Sequence, residues 1–361
     1  MEYDMLPKKF WGKQDYLLYV YDVIADMIRQ ADRKELSSFH LTFETEQQAQ
    51  SFEKAEDMLE WMDKNNKHDI SLKMFESHVF FSLLKDFCFY IYESISCASR
   101  GKVTVAYSLL RKPLRDNLLY LEWLLADKEE FYKSFLYGDV QSCDVANYKV
   151  FDRTRIRKII KEASSKSYMG QSVNSNNIVY RFRFNSKEDI GLQRIWNQSM
   201  HLVTSSPNYA TENGNLNFVF ADAKIWDDYW NYYYLVVPQI MAYALEICEA
   251  LFLNVCNADT FELLLNRIIR INKYMKVIPE TDEQTEVRGL AQELIKTLEE
   301  SNVTAQMKCQ NCSKDIAITT DVIKQMIENW AIICPHCQQE HNICKYYNEI
   351  EYSVESDTDT V

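Results

Sequence analysis

The sequence predicts a mainly α-helical protein, a multi-helix bundle with a small cysteine-bearing module near its C-terminal end. Three observations predict it. Gly and Pro number only 7 and 6 in 361 residues, too few for a β fold, which needs a turn about every dozen residues. Apolar residues recur at helical spacing through long segments without a breaker. Two Cys-x-x-Cys pairs, CQNC at Cys309 and Cys312 and CPHC at Cys334 and Cys337, close the pattern.

Hydrophobic residues make up 47% and aromatic residues 13%, with 23 Tyr and 18 Phe, which excludes a disordered chain. The formal net charge of −13 repels polyanions, so contact with nucleic acid has to be local. One basic run stands out, KVFDRTRIRKIIKEASSK from Lys149 to Lys166, and its simpler reading is a solvated helix face. The N-terminus shows no secretory pattern. Beyond the paired cysteines, Cys88, Cys97, Cys143, Cys248, Cys256 and Cys344 are scattered and suggest no disulfide framework, which points to a reducing cytoplasm. Tyr232–Cys256 is long enough to cross a bilayer but carries Glu246 and Glu249, and residues 79–98 carry Lys85, Asp86 and Glu93. Both read as buried helices, so no membrane partner is expected.

In order along the chain, Gln14–Arg33 and Glu46–Asn65 read as amphipathic helices, with Thr45 as N-cap of the second. Residues 1–69 therefore form N-terminal helices for packing or assembly. Ser71–Ser99 and Lys102–Ala126 flank Gly101 as an antiparallel helix pair, and Pro113 should kink the second. Shorter helices follow at Glu129–Tyr137 and Phe151–Ala163. Ser164–Asn177, rich in Ser and Asn, reads as a mobile loop. A helix from about Ser186, capped by Ser186 or Asp189, runs towards Pro207, and long helices resume at Ile225–Cys256 and Asp259–Lys276. WDDYWNYYY, within the first of these, reads as core or dimer packing more simply than as a base-stacking surface. A charged helix over Glu280–Glu300 completes a connector spanning 257–304. The cysteine module covers 305–350, and 351–361 read as an acidic disordered tail.

The four cysteines carry the most specific motif. A two-residue gap lets two thiolates of one knuckle reach the same ion, and 21 residues separate the two knuckles. The spacing resembles zinc ribbons, which implies a structural zinc in a closed four-thiolate site with no position open for catalysis. His336, His341 and Cys344 are near enough in sequence to enter a different ligand set. Because the module has few basic residues, it suits docking a protein partner or bracing the domain.

A second motif lies in RIWNQSMH. Seven residues on a helix advance about 700°, so Arg194 and His201 should point the same way, with Asn197 and Gln198 between them. Ile195, Trp196, Met200 and Val203 should form the apolar back. Arg111 and Arg115 lie in an otherwise Leu-rich helix, where a charge needs a partner or a ligand. Either they converge on the Arg194 and His201 front as an anion pocket, or Glu122 and Asp116 pair with them.

Arg194 and His201 near a helix end, together with SLLRKPLRDNLLYLEWLLAD, resemble the HEPN (higher eukaryote and prokaryote nucleotide-binding) superfamily, in particular helical proteins of bacterial toxin and abortive-infection systems. The resemblance implies a HEPN-like helical domain over 70–256 and a metal-independent endoribonuclease that works as a homodimer or higher homo-oligomer, with phage defence as the biological setting. It assigns His201 as general acid/base and Arg194 as the phosphate-stabilising cation; Asn197, Gln198, Arg111 and Arg115 would contact an RNA substrate. Ile195 departs from the usual polar residue after the arginine. The alternative is a non-catalytic helical scaffold or sensor that dimerises and docks a partner through the ribbon, a reading favoured by Ile195 and the acidic charge.

Overall fold

The computed structural model describes residues 3–33, 38–188, 191–256, 260–278, 289, 292–293, 295–296, 300, 303–329, 331–342 and 350–354. These residues are mainly helical, with a small antiparallel ribbon near the C-terminal end. The expected helix over Glu280–Glu300 lies largely outside the described residues, as do Asp189 and Cys344.

The N-terminal part holds α1 (Trp11–Arg33), α2 (Glu46–Glu53) and α3 (Met58–Lys64). Thr45 caps α2 as expected, accepting from the Gln48 amide. Next come α4 (His68–Ser99) and α5 (Val103–Arg111), joined at Gly101, whose φ of 76° is a left-handed turn that L side chains rarely adopt. The kink expected at Pro113 takes the form of a widened π-helical turn, Lys112–Asn117, before α6 (Leu118–Ala126). Pro113 cannot donate to the ladder, and a wider turn accommodates that loss. Asp86 of α4 pins the turn by accepting from Lys112 Nζ at 2.9 Å and Asn117 Nδ2 at 2.6 Å.

After α7 (Lys128–Leu136) and α8 (Arg153–Ser165) the chain departs from expectation. Residues 164–177 have the composition of a mobile loop, yet they contain α9 (Gly170–Val173) and a further 3-10 turn, and Met169, Val173 and Asn174 are buried. The reason is polar and long-range: the Met169 amide donates to Glu246 at 2.9 Å, and Asn174 bonds both Ser164 and the Val179 amide. Asn177 leads into α10 (Ile178–Phe184).

The long α12 (Ala223–Val255) passes through the core beside α1, α4 and α6. It is long and apolar enough to cross a membrane, and 83% of its most apolar window is buried inside the fold. Its aromatic start packs inward as expected: Tyr233 and Tyr234 are fully buried, and Trp230 Nε1 donates to the Ala98 carbonyl at 2.9 Å. The two glutamates that argue against a membrane span are paired with α13 (Thr260–Val277). Arg270 bridges Glu246 (2.8 Å) and Glu249, and Arg267 holds Glu249 at 2.7 Å. A second buried pair, Arg183 of α10 with Glu122 of α6 at 2.6 Å, has both side chains at 0% exposure.

The ribbon consists of β1 (Val303–Lys308), β2 (Asp315–Ala317), α14 (Thr320–Asn329), β3 (Ala331–Ile333), β4 (Glu340–Asn342) and β5 (Ile350–Val354). β1 pairs antiparallel with β2, Met307 opposite Ile316, and β3 with β4, Ile332 opposite His341. Residues 351–354, expected from the sequence to belong to an acidic tail, instead lie in β5, antiparallel to β1 with Val303 opposite Val354. The Ile and Val of IEYSV can pair with a strand edge even though the chain beyond them is acidic. α14 buries Ile323, Met326 and Ile327 and packs on α13, where Lys276 Nζ donates to the Ile327 carbonyl at 3.4 Å.

The buried pair gives a stability prediction. Glu122→Ala leaves Arg183 charged and unpaired in the core and should cost about 3–5 kcal/mol in urea denaturation. Replacing both partners by apolar residues of similar volume should cost far less. Equal losses for the single and double variants would show that the pair is not the source of the effect.

Candidate functional site

The four cysteine sulfurs lie within 4.8 Å of one another, close enough to hold one metal ion. Each knuckle is built alike. The Cys309 amide donates to Lys314 O and the Ser313 amide to Cys309 O; the Cys334 amide donates to Gln339 O and the Gln338 amide to Cys334 O. Ser313 and Gln338 both take φ near 59°, the left-handed step that turns each hairpin back. Nitrogens face the sulfurs: the Cys312 amide donates to Cys309 Sγ at 3.5 Å and Asn311 Nδ2 to Cys337 Sγ at 3.6 Å, while His341 Nε2 lies 3.1 Å from Cys309 Sγ.

The Asn311 side chain and the Gln339 backbone draw the Cys337 thiol down to about 6. Cys312 moves the other way, to about 11: the Lys314 backbone contact lowers it, but desolvation and the neighbouring sulfurs outweigh that. Four thiolates this close together would repel one another, and a cation among them would relieve that repulsion. His341 is buried beside the knot and suits orienting a sulfur, whereas His336 turns away, its Nε2 3.1 Å from the Asp315 carbonyl.

The Arg194 and His201 region differs from expectation. The helix does not begin near Ser186, because residues 185–188 turn, with Glu188 tying Arg181 (2.7 Å) and Asn185 (2.8 Å). α11 spans Leu192–Met200 with Gly191 as N-cap. A Cβ at residue 191 would fall 2.2 Å from the Asn185 carbonyl, so glycine is required by that close approach. His201 is the C-cap, in extended conformation at φ −132° and ψ 129°. The backbone therefore leaves the helix at the residue whose direction the seven-residue repeat would have fixed.

His201 is exposed and lines a hollow of about 260 Å³ together with Gln198, Ser108, Asn217 and Phe218. Arg194, Asn197, Arg111 and Arg115 are not among the residues lining it. Arg194 sits close enough to Tyr232 of α12 to act on it electrostatically, and Asn197 Nδ2 donates to Tyr209 Oη at 2.7 Å. Ser108 of α5 donates to Ser199 O of α11 at 3.3 Å, and Thr104 and Val105 of α5 line the same hollow as Met200 and His201. Of the expected apolar back, Trp196 is fully buried and Ile195 half-buried, whereas Met200 and Val203 are 56% and 63% exposed.

The alternative pairing of the two arginines is half right. Arg115 bonds Asp116 at 2.6 Å, but Glu122 belongs to Arg183, a residue that sequence reasoning passes over. Burial raises the Glu122 carboxyl, and the Arg183 guanidinium opposes that rise.

His68, isolated in the sequence, is held on both sides. Its Nδ1 lies 2.8 Å from Asp63 and its Nε2 3.1 Å from Glu129, joining α3, α4 and α7. Hydrogen bonds to Asp63 and then Glu129 raise its pKa. Against desolvation, bonds from Tyr137, His68 and Tyr132 lower Asp63, and His68 lowers Glu129. No spacing rule in the sequence connects residues 63, 68 and 129.

No family model, curated protein or solved structure matches this chain.

The cysteine knot and the His68 clamp are each open to a direct check. A strong chelator should make the four paired cysteines accessible to a thiol reagent while the far-ultraviolet helical signal is largely kept; unchanged thiol reactivity would argue against a bound metal. The His68 clamp is complete below the histidine's unfolded pKa of about 6.5 and is lost as pH rises through the raised folded value. The carboxylate contribution is complete above their unfolded pKa of about 4 and is lost as pH falls. The melting advantage of wild type over His68→Gln should therefore peak at about pH 5–6 and shrink towards alkaline pH. A pH-independent difference would contradict the clamp.

Proposed function

We propose that the chain is a dimerising helical scaffold, braced by a structural zinc ion at Cys309, Cys312, Cys334 and Cys337, that uses the ribbon to dock a protein partner. One observation carries this reading. Around the His201 hollow, Val105, Met200, Leu202, Val203, Val219 and Phe220 are between 48% and 64% exposed. An apolar rim of this kind around a polar centre is what an interface between copies requires, since apolar surface gathered in one patch is costly in water. Zinc fits the donor set, because four soft thiolates in a closed cluster suit a tetrahedral ion with no open position.

The second reading is the metal-independent endoribonuclease-type effector or toxin, acting in phage defence. The exposure of His201 favours it: the imidazole makes no side-chain hydrogen bond among the described residues and opens beside the Gln198 amide. There His201 would take the proton of a ribose 2′-hydroxyl as that oxygen attacks the adjacent 3′-phosphate; the bond to the 5′-oxygen breaks, that oxygen leaves with a proton from water, and a cyclic phosphate end remains. Arg194 would have to reach the phosphate from outside the hollow or from the second copy.

One pair of experiments separates the readings. Light scattering should give twice the chain mass for wild type and the chain mass for Leu202→Glu; a monomeric wild type overturns the scaffold reading. In parallel, wild type and His201→Ala are incubated with total RNA and EDTA. The scaffold reading expects equal inactivity. Cleavage by wild type that vanishes in the variant replaces it with the ribonuclease.

A further inference from the structure

A second hollow, of about 380 Å³, lies between the end of α1 and one face of α4, with Phe39 as a third wall. Its residues on α4 recur at positions 74, 77, 78, 81, 82 and 85, which places them on one stripe over about three turns. The volume falls in the range of about 300–1,000 Å³ typical of small-molecule sites.

The chemistry of the stripe is divided. Met74, Phe81 and Phe39 give it an apolar side, and Ser77, His78, Ser82 and Lys85 give it a polar one. Lys85 and His78 form no ion pair or side-chain hydrogen bond among the described residues, so an ammonium and an imidazole both stand available. Ser77, only 3% exposed as a residue, is among the residues lining the hollow and forms no side-chain hydrogen bond among the described residues.

We propose that this hollow binds a small amphipathic anion, a carboxylate or phosphate monoester joined to a compact aromatic or apolar body. Lys85 supplies the charge that attracts the head, and His78, Ser77 and Ser82 supply hydrogen-bond donors to its oxygens. Phe39, Met74 and Phe81 remove the body from water. Asp32, on the α1 side of the hollow, disfavours a ligand with a second negative group. The site is independent of the His201 face and of the metal knot.

The test uses the full-length protein and three probes of matched body: phenyl phosphate, phenylacetate and uncharged 2-phenylethanol, titrated by calorimetry or ligand-observed NMR. At least one anion should saturate at one per chain and bind at least about tenfold more tightly than the alcohol. Whichever anion binds more tightly identifies the head group. Lys85→Gln alters an exposed side chain, so folding should be unchanged by circular dichroism, and it should weaken binding by about tenfold or more. Ser77→Ala should weaken it by a smaller factor without changing the head-group preference. The proposal is overturned if neither anion saturates below about 10 mM, if the alcohol binds as well as the anions, or if Lys85→Gln binds like wild type.

Discussion

The ion pairs between α12 and α13 set the constraint to which much of the fold answers. α12 is apolar on nearly every side and has to be buried, yet Glu246 and Glu249 lie near its end at 2% and 3% exposure. A buried carboxylate needs both a cation and hydrogen bonds. Arg270 and Arg267 supply the first, and the Met169 amide contributes to the second. Satisfying two glutamates therefore fixes α13 against the bundle and draws residues 164–177 into an ordered course. Through α13 it also positions the ribbon, because α14 rests on that helix. Lys273 adds to the same seam, its ammonium 5.5 Å from the centre of the Tyr19 ring.

The His201 face is built on different terms. No buried ion pair holds it among the described residues; residues 201–219 are tied by short polar links. Thr204 and Thr211 bond each other's backbone, and Asn217 donates to the His201 carbonyl at 2.7 Å. Phe218 adopts φ 58°, a conformation that costs a bulky side chain energy, and its ring is held against Tyr107 and Tyr229. The loop is thus ordered, with Phe218 turned inward while Leu202, Val203 and Val219 face outward. Spending backbone strain to hold an apolar rim open to water is consistent with a surface that is covered in the working assembly.

The helices and the four-cysteine cluster are legible in the sequence because their signals are local. Scarce Gly and Pro, unbroken apolar periodicity and two Cys-x-x-Cys pairs act within a few residues of one another. Pro113 predicts a kink for the right reason, since a missing amide is a local fact. What escapes is what depends on distant partners. Arg183 shows no neighbour in sequence that explains its burial, and Glu122 looks available to Arg115 only because helical spacing says nothing about α10. The 164–177 segment has loop composition and is ordered by a glutamate some 77 residues on. The Arg194 and His201 alignment assumes a helix that continues through residue 201; the chain ends it at residue 200, so the geometric argument fails at its last step.

On this account the face around His201 is covered by a second copy of the chain. Hydrogen–deuterium exchange across a dilution series tests that most directly. Backbone amides of residues 200–205 and 217–220 should exchange slowly in concentrated protein and markedly faster on dilution, while those of α12 stay unchanged at every concentration. Exchange at the His201 face that is fast and identical across the series would contradict the account.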